Sequence, residues 1–217
     1  MKFKEPEGKT FEPLEEGVDL GVCIGMVDVG TSDNPFDDEK RKHQVLVIWE
    51  MPNQTMEAKD KDTGEVKEVT RTISKFYNMS LDARATLRKH LEAWRGKSFT
   101  ADELKGFDAQ NLIGKGCMVQ ILNKENAKGE IKSRVESVMA LMKGQKAPKP
   151  THETVYFSFE DQPDTTVLSE GLLRLVTESD EFKAQAKGKT DIDVVDDIND
   201  KLDEGAEEEA DSDNIPF

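Results

Sequence analysis

Cysteine is nearly missing from this chain, with only Cys23 and Cys117 among 217 residues, each inside an apolar run. Two thiols without a Cys-x-x-Cys spacing exclude a zinc ribbon or a disulfide framework and point to a reducing compartment. Histidine is as sparse: His43, His90 and His152 lie far apart in the sequence, and no nucleophile–base pair can be argued from them. Aromatic residues reach 6%, so base-stacking positions are few and each one matters. No run approaches the ~18 apolar residues of a membrane-spanning helix, and the N-terminus MKFKEPEGKTFEP carries no apolar secretion signal. A phosphate loop is lacking too. Gly8-Lys9-Thr10 and Gly188-Lys189-Thr190 have Phe3 and Lys183 where such a loop requires its first glycine. Asp60 to Gly64 opens like a calcium loop, but Arg71 stands in place of the closing carboxylate, and Asp37-Asp38-Glu39 reads as a solvated charge run. The expectation is a soluble cytoplasmic protein without catalytic, cofactor or metal residues.

What the chain has in excess is negative charge, unevenly placed. Residues 191–217 hold 12 acidic residues and one lysine, which gives 1 − 12 = −11 of the total −15 and leaves −4 for residues 1–190. The pI near 4.7 therefore describes a tail more than a body. This acidic, low-complexity tail reads as disordered. It finishes on Asp211-Ser212-Asp213-Asn214-Ile215-Pro216-Phe217, three apolar residues with nothing after them to pack on.

The body alternates in period. An irregular arm (1–15) leads into a strand over Gly21 to Gly30, where Gly21, Gly25 and Gly30 suggest bends or bulges. His43 to Met51 reads as a central strand, apolar on both faces, followed by a long polar connection (52–65) and a third strand over Glu68 to Tyr77. Ala83, Leu87, Leu91 and Trp94 share one face of a helix capped by Ser80 and stopped at Gly96. Thr100 to Glu103 has the Thr-x-x-Glu form of a capping box. Two further strands, 116–125 and 131–141, flank a hairpin tip at 123–130. After a basic linker (143–150) come a sixth strand near 151–161 and a helix over 169–186, with Leu172, Leu175, Val176, Ser179 and Phe182 near one face. Three strands, a helix and two strands is the chain order of an OB-fold, a five-stranded Greek-key barrel that is partly open. The expected division is an arm at 1–15, an OB domain at 16–150, a strand/helix extension at 151–190 packed on the barrel, and the tail at 191–217.

Two stretches resemble known families. The terminus Asp211 to Phe217 resembles the acidic tip of bacterial single-stranded DNA-binding proteins, with Asn214 where those tips usually have aspartate. Ile73 to Ile121 is similar to the core of phage-encoded OB-fold proteins that bind single-stranded DNA in replication and recombination. The resemblance implies a protein of the host cytoplasm that coats single strands largely without sequence preference. It also implies that Asp211, Asp213, Ile215, Pro216 and Phe217 dock on replication and repair enzymes, the ring and proline in a pocket and the carboxylates on a basic rim. Duplex binding, strand annealing and a homodimer stay open.

Single-strand binding needs cations along phosphates and aromatic faces for bases. The candidates are Phe36 and Lys40-Arg41-Lys42 in the first loop, Trp49 on the second strand, and Arg71, Lys75 and Tyr77 sharing one face of the third. Lys124 and Lys128 at the hairpin and Lys132 and Arg134 on the fifth strand complete the set. Trp49 and Tyr77 have a competing role as core, and Trp94 reads as a core plug. From another class stands an acidic DNA mimic that inhibits a host DNA enzyme; such a mimic should carry its carboxylates on a folded surface.

Overall fold

The structure is a computed structural model, and it describes residues 12–32, 41–59, 64–161 and 163–188. The chain builds a curled, half-barrel antiparallel sheet in the order β3-β2-β1-β4-β5. Its strands are β1 (Gly17–Ser32), β2 (Lys42–Lys59), β3 (Val66–Asn78), β4 (Gly116–Glu125) and β5 (Ile131–Met139). A short sixth strand, β6 (Val155–Phe157), lies parallel to β1 at Gly25–Val27.

β1 organises the sheet. Its first part pairs with β4 (Gly17↔Ile121 to Val22↔Gly116) while its opposite edge pairs with β2 from Val22↔Glu50 to Ser32↔Lys42. Register shifts fall between Cys23 and Gly25 and between Asp28 and Gly30, at two of the glycines singled out above. Gly21 serves a different need, close approach: a Cβ there would lie 2.6 Å from Val119 Cγ2.

β2 is buried from Val45 to Met51, as an apolar run on both faces demands. It continues to Lys59, however, and pairs with Val66–Thr70 as a two-stranded ribbon. The expected polar connection is thus partly strand. Pro52 falls in the register shift between Met51 and Thr55, where no ladder N–H is required.

The helix α1 (Thr86–Arg95) buries Leu87, Leu91 and Trp94 and stops at Gly96, whose φ of 68° closes the left-handed cap. It starts six residues after Ser80. Ser80 and Asp82 instead accept the main-chain N–H groups of Asp82 and Arg84 in the turn before it. Thr100 and Glu103 exchange the two hydrogen bonds of a capping box, at 2.9 and 3.2 Å. The expected C-terminal helix is two, α2 (Glu170–Thr177) and α3 (Asp180–Gly188). Ser179, fully buried, divides them: its hydroxyl donates to the Val176 carbonyl and accepts from Phe182 N, so it ends one helix and caps the next.

Two cores result. Inside the half-barrel, Trp49, Tyr77, Trp94, Cys117, Val119, Ile121 and Val135 pack with the apolar face of α1. On the outer face of β1 and β2, Ile24, Val27, Leu46 and Ile48 are covered by Phe157 of β6 and by Leu172 and Val176 of α2. The arm residues Glu12 to Leu14 lie across the open side of the barrel: Arg71 donates to the Glu12 and Pro13 carbonyls, Leu14 N to Ser133 Oγ, and Asn123 Nδ2 to the Leu14 carbonyl.

Candidate nucleic-acid interface

The margin where β3 faces β5 collects four of the candidate cations, Lys75, Lys124, Lys132 and Arg134. On β4 and β5, residues pointing into the barrel alternate with outward ones, and register puts Lys124 opposite Lys132 and Leu122 opposite Arg134 on the outer face. Across the open side stands Lys75 of β3, whose ammonium donates to the Val135 carbonyl and bridges the two edge strands. Burial holds Lys75 below the ordinary lysine range; Glu136 opposes this, while Lys124 and Arg134 add to it. The charges share one neighbourhood. Their counterions are surface carboxylates, with Lys124 3.4 Å from Glu136 and Lys132 3.6 Å from Glu130. Exposed pairs of this kind are worth about 0–1 kcal/mol, so a phosphate displaces them at little penalty. Lys128, at the exposed hairpin tip, stands on the same strand pair.

Other expected residues are used elsewhere. Trp49 is 1% exposed, its ring 6.2 Å from that of Trp94, and it has no face left for a base. Tyr77 is equally buried; its hydroxyl hydrogen-bonds His90 Nδ1 at 2.8 Å, and burial raises its pKa. Both are core rather than stacking platforms, because the β3 face that carries Ile73 and Tyr77 points inward. Burial, then nearby Lys75, pushes His90 down to about 4, so it is a neutral partner at pH 7. Arg71 fastens the arm. Arg41 makes a two-point contact with Asp180 of α3, 2.7 and 2.9 Å. Lys42 pairs with Ser32 at the end of β1 remote from the hairpin, so Lys42 and the hairpin cations lie at opposite ends of β1. Phe36, Lys40, Asp211, Asp213, Ile215, Pro216 and Phe217 lie outside the described residues.

β6 and α2 seal the outer face of β2. Two further features escaped the sequence. Phe76 is the most exposed aromatic ring among the described residues, at 37%. It sits with Lys75 and Arg84 around a hollow between the end of β3 and the start of α1. A carboxylate–histidine clasp also joins α3 to the sheet: His43 Nε2 meets Asp28 at 2.6 Å and its Nδ1 meets Glu181 at 3.3 Å, while Glu181 accepts from Thr31 N and Oγ1. These residues are 15 and 138 positions from His43, and no local pattern links them.

No group of three or more metal-binding side chains is assembled among the described residues, and none of their helices is long and apolar enough to cross a membrane. No family model matches the chain, and no curated protein matches its sequence.

Proposed function

We propose that this chain is an OB-fold protein that binds single-stranded DNA without catalysis, along the cationic margin of β3, β4 and β5. The strand order supports the OB reading: β3-β2-β1-β4-β5 is a five-stranded barrel opened between its third and fifth strands, with the helix between β3 and β4 as its plug. The observation that carries the function is the gathering of Lys75, Lys124, Lys132 and Arg134 on neighbouring strands of a body that is acidic overall. In this reading the protein serves phage replication and recombination in the host cytoplasm. Its terminal Asp211, Asp213, Ile215, Pro216 and Phe217 recruit replication and repair enzymes, and the −11 tail competes with DNA for the cations.

The test is fluorescence anisotropy of a labelled single-stranded oligonucleotide, with the full chain and with a chain lacking residues 191–217. Four phosphate contacts give a log–log salt slope of about −3, or roughly 50-fold weaker binding between 50 and 200 mM salt. Tighter binding without the tail at low salt supports the competition. Absence of binding by both forms refutes the function.

A further inference from the structure

The end of β3 combines three properties that the cationic margin by itself does not explain. The first is an open main-chain edge. Met79 N donates to the His43 carbonyl, and the β2–β3 register runs without a shift from Gln44↔Asn78 to Met51↔Arg71. Antiparallel strands alternate bonded and non-bonded pairs. Lys75 and Tyr77 therefore turn their N–H and C=O groups to β2, while those of Phe76 and Asn78 turn away from it, to the edge of the sheet. The second is the exposed ring of Phe76. The third is a pair of cations: Lys75, hemmed in by Lys124 and Arg134, and Arg84, whose side chain is 96% exposed and 3.7 Å from Asp82. All line one hollow with Asn78, Ser80, Asp82 and Thr86. Asp82 is occupied by its own turn through Arg84 N at 2.9 Å, and the first turn of α1 contributes no carboxylate.

We propose that this hollow is a nucleotide subsite, in which a base stacks on Phe76 with its polar edge toward the open main chain, and flanking phosphates meet Lys75 and Arg84. An aromatic ring and two cations lining one hollow match the two parts of a single strand, base and phosphate. An added peptide strand fits less well, because this end of the edge is bounded on one side by Lys75, whose ammonium crosses to the Val135 carbonyl of β5, and on the other by the turn at Ser80, where Ser80 N already bonds the Asn78 carbonyl. With Trp49 inside the barrel and the outer face of β2 sealed, the exposed ring is carried by β3. This inference rests on the single-strand reading above and adds where a base is seated.

The experiment compares the full chain with its Phe76→Ala, Phe76→Trp and Arg84→Ala variants, using a fluorescein-labelled oligothymidylate and the same oligonucleotide with abasic sites. Loss of one stacked base in Phe76→Ala weakens binding by about fivefold to a hundredfold with the salt slope unchanged. Phe76→Trp retains the affinity. Arg84→Ala lowers the slope by about 0.7, one phosphate contact. The wild type discriminates against abasic sites and Phe76→Ala does so less, a readout that misfolding does not imitate. Wild-type binding that none of these variants alters overturns the subsite and leaves the function standing. No binding by the wild type removes both. Main-chain amide shifts at Phe76 and Asn78 induced by an extended peptide but not by the oligonucleotide would assign the edge to protein and end the proposal.

Discussion

At Glu50 a carboxylate is kept 1% exposed in the middle of β2 and accepts from Thr151 N and Oγ1, His152 N and Thr70 Oγ1. It ties the linker before β6 to the sheet. Glu50→Gln sets an amide N–H₂ against donors, and a loss of about 2–4 kcal/mol is expected in urea unfolding. Burial by itself would raise the Glu50 pKa, but the bonds from His152, Thr151 and Thr70 pull it below the ordinary carboxylate range. A depressed folded value means that the stabilisation is complete above the unfolded value of about 4.3 and is lost as pH falls through the folded one. The gap between wild type and Glu50→Gln should therefore be widest near neutrality and narrow in acid. At Trp49 and Trp94 the expectation is optical. Both are buried, so saturating oligonucleotide should leave tryptophan emission blue-shifted and nearly unquenched, and a deep quench would contradict the burial.

Between elements, the decisive contact is the cover that β6 and α2 place on β1 and β2. Leu172 is fully buried there, and Leu172→Ala should reduce unfolding free energy by about 2–5 kcal/mol while leaving the margin of β3 and β5 intact. Gly30→Ala strikes the same junction from below. Its φ is 69°, and a Cβ would lie 2.5 Å from Glu181 Oε2, so the melting temperature should fall and the clasp at His43 should open. Elements of this kind were legible in the chain where one periodicity ruled: Val45–Met51 as a two-sided strand, Leu87, Leu91 and Trp94 as a helix face, Thr100 and Glu103 as a box. They were illegible where tertiary contacts decided. Ser179 splits a continuous helical pattern because its hydroxyl finds Val176 and Phe182, and residues 55–59 become strand because 66–70 pair with them. The site followed the same division. Lys132 and Arg134 could be put on one face by counting, whereas the inward turn of Trp49 and Tyr77 depended on which face the barrel closes over.

Taken whole, the molecule keeps a nearly balanced body beside a strongly acidic terminus. Charge reversal at Lys124, Lys132 or Arg134 should each flatten the salt slope of oligonucleotide binding by about 0.7, whereas reversal at Arg41, held by Asp180, should act mainly on stability. Anisotropy at several ionic strengths, paired with thermal melts, separates the two. The cover on β1 and β2 also dictates an order of events during synthesis. Ile24, Val27, Leu46 and Ile48 are made early, but their partners Phe157, Leu172 and Val176 come more than a hundred residues later. At ribosomal speed the stretch 151–177 takes about 1–5 s to emerge, and during that interval the nascent sheet shows a greasy flank to every neighbouring chain. Slow codons or truncation within that stretch should thus lead to aggregation even though every strand of the half-barrel is already present.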